Sequence, residues 1–322
     1  MTFYGILDFF IDSVQQTCEY FIRPDKRIHY FYIITSILLS VYVYLKLQRK
    51  GSFLNFFFQK ENWLSKSAFT DYLFLFFNGF VKLGLLAWMF TWALQLQFYL
   101  GEWLLSTFGL PSKDISIGLL LIGYPILYLI IGDFSYYLLH LMYHKIPFLW
   151  SFHKVHHSST ALNPITQYRI HPIELFLNNV RNLLILVTLN SLFGYLSDNH
   201  FRPQNIFGIS VIALLFNSFG ANLRHSHIKF TYFNWLENIL ISPFQHQIHH
   251  SRNPSLFNKN MGAKLALWDL IFGTLVKSKE VVNLEVGLGE EDKDYDVFWK
   301  NLIYPFLEVL RIRRNKDNSS ID

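Results

Sequence analysis

Four regions of the chain are apolar over the roughly 20 residues a helix needs to cross a bilayer. They lie at about 28–47, within 72–100 (where Lys82 interrupts), at about 115–137, and at about 173–223. The last is apolar twice around the polar break Ser197-Asp198-Asn199-His200, which predicts a helical hairpin. Residues 3–10 hold Asp8 and lack a basic start, predicting an interfacial helix, not a cleaved signal peptide. Residues 278–296 turn acidic and polar, as a solvated loop does. An apolar helix at about 297–310 and a disordered basic tail are expected to close the chain. The pattern predicts an all-α integral membrane protein with about four transmembrane helices. It divides into an N-terminal membrane region (1–114), a central region (115–277) and a polar, interfacial end (278–322).

Composition agrees. Apolar residues make up 52% of the 322 and charged residues 16%, where soluble domains are about a quarter charged. The 33 Phe, 18 Tyr and 8 Trp suit a chain facing lipid and its interface. Lys46, Arg49, Lys50, Lys60 and Lys66 follow the first apolar region; Lys145, Lys154 and Arg169 follow the third; Arg311, Arg313, Arg314 and Lys316 end the chain. Alternating spans put these groups on one side, expected to be cytoplasmic, with only Lys113 in the loop between regions two and three. Arg23, Lys26 and Arg27 would then fall on the other side. The net charge of +5 is accounted for by this flank, and no nucleic-acid reader motif accompanies it. A single cysteine, Cys18, leaves no intramolecular disulfide and no cysteine-based zinc site.

Histidine is the residue type that carries chemistry here. Twelve of 13 lie between His140 and His250, eight of them in three boxes: His140-Leu-Met-Tyr-His144, His153-Lys-Val-His156-His157 and His246-Gln-Ile-His249-His250. Residues three and four apart share a helix face, so each box is expected to offer two or three imidazoles in one direction. Imidazole suits zinc, copper, iron and nickel. A zinc site uses three or four protein ligands, so eight boxed histidines point to two metals. His225 is the ninth candidate ligand; His227 and His171 are further candidates or neighbours of the ligands, and His29 and His200 are read as polar tips near the membrane surface. Asp133, Tyr137, His140 and His144 fall on one helix face. Asp133 either orients a ligand histidine or a neighbouring arginine, or is a polar helix end at the headgroups. Arg169 with Glu174 reads as a structural ion pair. Trp268, Asp269 and Gly273 read as packing and terminating residues of a last interfacial helix.

These residues resemble the fatty acid hydroxylase / sterol desaturase superfamily of integral-membrane non-haem di-iron enzymes. The resemblance runs from Asp133-Phe-Ser-Tyr-Tyr137-Leu-Leu-His140 through the second box, Tyr168-Arg169-Ile-His171-Pro172-Ile-Glu174 and the third box to Asn260-Met-Gly262 and Trp268-Asp269-Leu-Ile-Phe272-Gly273-Thr274. Two departures stand out: Asn258 and Met261 replace a common Asp and Tyr, and His227 replaces an Asn. The resemblance implies a cytosolic helical cap on the bundle holding two iron ions (zinc as a possible surrogate), with Asp133, Tyr137, Arg169 and His171 around them. It implies O2 as co-substrate and oxidation of an unactivated C–H bond of a lipid: an acyl chain, a sterol or an ether lipid. Hydroxylation is favoured; desaturation by the same centre is the alternative. No GxGxxG follows a strand and no CxxCH is present, so electrons are expected from cytochrome b5 or ferredoxin with a reductase. The host would be the inner membrane of a bacterium or the endoplasmic reticulum of a eukaryote. A metal transporter or sensor would place its histidines within spans or in loose loops. A non-catalytic scaffold would have lost boxed histidines, and none is missing.

Overall fold

The computed structural model describes residues 3–111, 116–197 and 207–319. Lys113 and the polar break at 198–200 lie outside them. Among the described residues twelve α-helices appear in order: α1 Phe3–Cys18, α2 Tyr30–Lys46, α3 Phe53–Phe57, α4 Lys60–Trp63, α5 Lys66–Phe108, α6 Ile117–Lys145, α7 Pro147–His157, α8 Pro172–Leu196, α9 Phe207–Ser218, α10 Pro243–His249, α11 Leu267–Ile271 and α12 Phe298–Ser319. Among the described residues there is no strand, only two isolated bridges, Leu240–Leu265 and Ser251–Val286.

The boundaries follow local chemistry. Ser65 caps α5 by accepting from the Ala68 N–H, and Ser116 caps α6 by accepting from Leu119. Such a cap satisfies one of the orphan amides at a helix start. Pro147, Pro172 and Pro243 open α7, α8 and α10, where a missing N–H costs nothing. Gly109, at φ 72°, ends α5 and returns its N–H to the Leu105 carbonyl.

By length and composition two helices can cross a membrane, Gly118–Lys145 and Pro172–Leu196, or three if α5 counts, which bends by 46° between Leu85 and Trp88. Only 17% of either apolar window is buried inside the protein, and Trp88, Trp92, Phe98, Leu119 and Ile122 stand exposed. An outward apolar surface of this extent fits lipid. The 17 residues of α2 reach only about 26 Å at 1.5 Å per residue, short of a core of about 30 Å. Its Val43 packs on Leu223 and Ile228, in the loop that carries His225.

The spans meet through Tyr124, Leu189 and Phe193 between α6 and α8. α1 lies against α5 at Gly79, where a β-carbon would collide with Thr17 Oγ1. At the histidine end, Phe74 of α5, Val155 of α7, and Tyr295 and Phe298 form one buried cluster, so the chain's last segment is built into the site's wall. α12 runs on to Ser319, past the end expected near residue 310.

Candidate metal centre

Nine histidines gather in two sets. His140, His144, His153, His157 and His249 form the first; His156, His225, His246 and His250 form the second. Within each set the candidate ligand nitrogens lie within 4.8 Å of one another. The boxes do not each face one way, as expected; two of them are divided. On α7, His153 and His157, four residues apart, serve the first set, while His156 points to the second. Around α10, His246 and His250 serve the second set and His249 the first. Spacings of four stack on one face, and the odd histidine of each box reaches the neighbouring set. Two short helices thus join both sets, and α6 contributes to the first alone.

Hydrogen bonds on the outer nitrogens fix the rings. Nδ1 of His140 donates to the Met261 carbonyl (2.8 Å), Nδ1 of His156 to Arg169 (3.2 Å) and Nδ1 of His249 to Lys259 (2.9 Å). A carbonyl can only accept, so in these three rings Nε2 carries a lone pair, aimed inward. His140 Nε2 lies 3.1 Å from His153 Nε2, which lies 3.2 Å from His157 Nε2. Nε2 of His225 lies 3.2–3.3 Å from Nε2 of His156, His246 and His250 at once, and one imidazole cannot satisfy three such neighbours. Burial first, then the neighbouring imidazoles, hold His153, His157, His225, His246 and His250 well below the ordinary histidine pKa, so these rings are neutral at pH 7. Neutral imidazole is the form that binds metal. Two nitrogens about 2.1 Å from a shared ion stand at most about 4.2 Å apart, close to the spacing seen. The donor sets fit two metal ions.

The surrounding carboxylates act through the backbone. Asp133 accepts from the amides of Lys264 (2.9 Å) and Leu265 (3.0 Å) and from Trp268 Nε1 (3.1 Å). It thus orients a loop, neither a ligand histidine nor an arginine as expected. Asp269 accepts from the amides of Met261 (2.7 Å) and Gly262 (2.8 Å) and from Thr274 Oγ1 (2.6 Å), a larger part than helix termination. Together they pin the loop whose Met261 carbonyl aligns His140. Tyr137 turns from the centre to Thr274 Oγ1 (3.1 Å).

Arg169 and Glu174 do not pair with each other. Arg169, fully buried, bonds Asp71 Oδ1 (3.3 Å), Ser158 Oγ (2.7 Å) and the Tyr295 carbonyl (3.1 Å). It ties α5, α7 and the segment before α12 together while its own carbonyl takes His156. Glu174 Oε2 lies 3.0 Å from His153 Nδ1. His227 and His171 stand outside both sets: Nε2 of His227 donates to the Phe56 carbonyl (2.7 Å), and His171 accepts from the Ile173 amide (3.1 Å) and donates to Leu302 (3.2 Å). Asp71, the buried partner of Arg169, was missed. Its signal is an ionisable residue at the edge of an apolar run, one position before the expected start of the second span.

A cavity of about 280 Å³ opens beside the histidines, lined by His153 of the first set and by His156, His225 and His246 of the second. Lys26 and Arg27 line it as well, so these basic residues lie at the histidine end and not across the membrane from it. The loop that carries them leads into α2, which is short and packs along that end.

Fold and site thus define a helical membrane protein with two buried imidazole sets beside a cavity. Residues 125–274 match the fatty acid hydroxylase family model, and the chain resembles the fatty acid hydroxylase / sterol desaturase superfamily. An alkylglycerol monooxygenase from Xenopus tropicalis is 31% identical over 150 residues, 47% of this chain and 30% of that protein. Human cholesterol 25-hydroxylase is 28% identical over 175 residues, covering 54% of this chain and 58% of its own. An ornithine lipid hydroxylase from Rhizobium tropici is 27% identical over 164 residues, 51% and 45% respectively. The chain spans about 30% of the length of the alkylglycerol monooxygenases it matches. No solved structure matches.

Proposed function

We propose that the chain is a membrane-bound, O2-dependent lipid hydroxylase whose two histidine sets hold two iron ions. The observation that carries this is the division of nine imidazoles into sets of five and four, with inward lone pairs, beside a cavity. The names of the three relatives support a hydroxylated lipid as product. His140, His144, His153, His157 and His249 would hold one ion; His156, His225, His246 and His250 would hold the other. Bound there, iron supplies the O2 chemistry that oxidises an unactivated C–H bond.

The chain's own residues do the rest. The carbonyls of Met261, Lys259 and Arg169 fix which nitrogen each ring presents. Asp133 and Asp269 hold the loop that supplies the first of these carbonyls, and Arg169 clamps α7 against α5. Burial keeps water from the sets. α5, α6 and α8 cross the bilayer with α2 and α9 embedded beside them, and the sets lie at the cytoplasmic surface, where Lys66, Lys145 and Lys154 sit. A lipid can then reach the cavity from the bilayer, and a separate reductase with cytochrome b5 or ferredoxin delivers electrons from the cytoplasm. The test has two parts. Elemental analysis of the full chain in detergent is expected to give two iron equivalents, and lipid profiles of cells with and without the gene are expected to differ by one oxygen in one lipid class. One equivalent or none, with every box intact, would falsify the two-ion reading.

A further inference from the structure

The cavity beside the histidines is cationic. Lys82, Arg27 and Arg224 line it, and Glu174 is the one carboxylate among its described lining residues. That carboxylate faces His153 Nδ1 at 3.0 Å. Lys82 projects from the apolar stretch of α5, half-buried, and among the described residues it has no ion-pair partner; nor has Arg27. Arg224 is buried, donating to the Ala263 and Ile241 carbonyls and lying 4.5 Å from the Phe216 ring, with no carboxylate bonded to it. The other nearby acids are occupied: Asp25 pairs with Arg23 and Lys26, and Asp133 holds backbone amides. Positive charge withdrawn from water without a counter-ion is unfavourable unless an anion completes it. A lysine within an apolar span is a functional position by default.

A second cavity, of about 710 Å³, shares Arg27, Tyr136 and Ala263 with the first; Leu129, Val211 and Leu214 form an apolar part of its wall, and Asp25, Asp133, Arg181 and Lys264 line the rest. It provides room for an apolar chain next to the charged chamber. We propose that the substrate is an anionic lipid, its phosphate or carboxylate seated on Lys82 and Arg27 and its chain in the adjoining cavity, with Arg224 adding to the positive field. This rests on the hydroxylase reading for the word substrate, but the charged chamber is independent of any metal.

The test measures binding by native mass spectrometry of the full chain in a neutral detergent. Four probes of matched chains are used: dioleoyl phosphatidic acid against dioleoylglycerol, and oleate against oleyl alcohol. One member of at least one pair is expected to bind about tenfold more tightly when anionic, since a hydrogen bond to a charged group contributes roughly one factor of ten. The pair that shows it tells phosphate from carboxylate. The preference is expected to fall about tenfold in Lys82→Gln and in Arg27→Gln and to return in Lys82→Arg. It is expected to persist in a triple Lys46→Gln, Arg49→Gln, Lys50→Gln variant. Equal binding of neutral and anionic lipids, or a preference that follows the surface triple variant, overturns the proposal. A preference that survives in a chain found to hold no iron removes the hydroxylase reading and leaves the anion site standing.

Discussion

The two histidine sets use one residue type but are held differently. In the first, two of five rings are hydrogen-bonded from behind, His140 by Met261 and His249 by Lys259, while His153 Nδ1 lies 3.0 Å from the Glu174 carboxylate without forming a hydrogen bond. In the second, His156 is braced by Arg169, while His246 and His250 leave Nδ1 without a hydrogen-bond partner among the described residues. The cavity touches three rings of the second set and one of the first. A catalytic metal site keeps a position open to substrate, whereas a closed one serves structure. On the proposed function the second set is therefore the one that would face substrate, and the first joins α6 to α7 and α10.

The strongest test of this contrast removes one ring from each. His144→Ala and His246→Ala are both expected to abolish detectable product. Metal content should fall from two equivalents towards one in each variant, and in His246→Ala the first set should keep its ion. Loss of both ions from His246→Ala alone would show that the sets are one unit and end the distinction.

A smaller effect is expected from the loop behind His140. Asp269→Ala strips the acceptor from two amides, those of Met261 and Gly262. A buried donor left unpaired costs about 1–3 kcal/mol, so a loss of roughly 3 kcal/mol in unfolding stability is expected. Thermal denaturation in detergent measures it, and an unchanged midpoint would mean that the loop finds other partners. Below that comes Glu174→Gln. Replacing a partner behind a metal-binding histidine typically weakens metal affinity about 10–100-fold. Titration with a competing chelator should show this loss at the first set only; weakening of both sets equally would contradict the separate bracing.

Much of the candidate centre is legible in the sequence. Histidines three and four apart on a helix announce a shared face, and the three boxes stand out in a chain with so few polar residues. The division of the boxes was not legible. Helical spacing tells which rings lie together on α7 or α10, but not that another set waits beside the helix for the odd one. The partners of Arg169 and Glu174 were misassigned for a related reason. Their closeness in sequence suggested a pair, yet Arg169 lies before Pro172 in a turn and Glu174 in the first turn of α8, so their side chains diverge. Asp71, which takes Arg169, lies 98 residues away, a separation no local pattern bridges. The membrane part divided in the same way. α6 and α8 were visible as apolar runs, whereas composition alone could not distinguish α2, too short to span, from a crossing helix.

The smallest expected effect concerns the two histidines left outside. In the sequence His227 and His171 stand as candidate ligands beside the motifs. In the structure each makes its hydrogen bonds to backbone: His227 to Phe56 across to α3, His171 as the cap of α8 and to Leu302 of α12. A ring whose Nε2 donates to a carbonyl has no lone pair there for a metal, and turning it inward would break a half-buried bond. His227→Ala and His171→Ala should therefore each keep two metal equivalents and lose only about 1 kcal/mol of stability, the usual value of one hydrogen bond. Elemental analysis beside thermal denaturation separates the two readings. A lost metal equivalent in either variant would mean that a set recruits that ring when the ion binds, and the boundary between ligand and support would move outward by one residue.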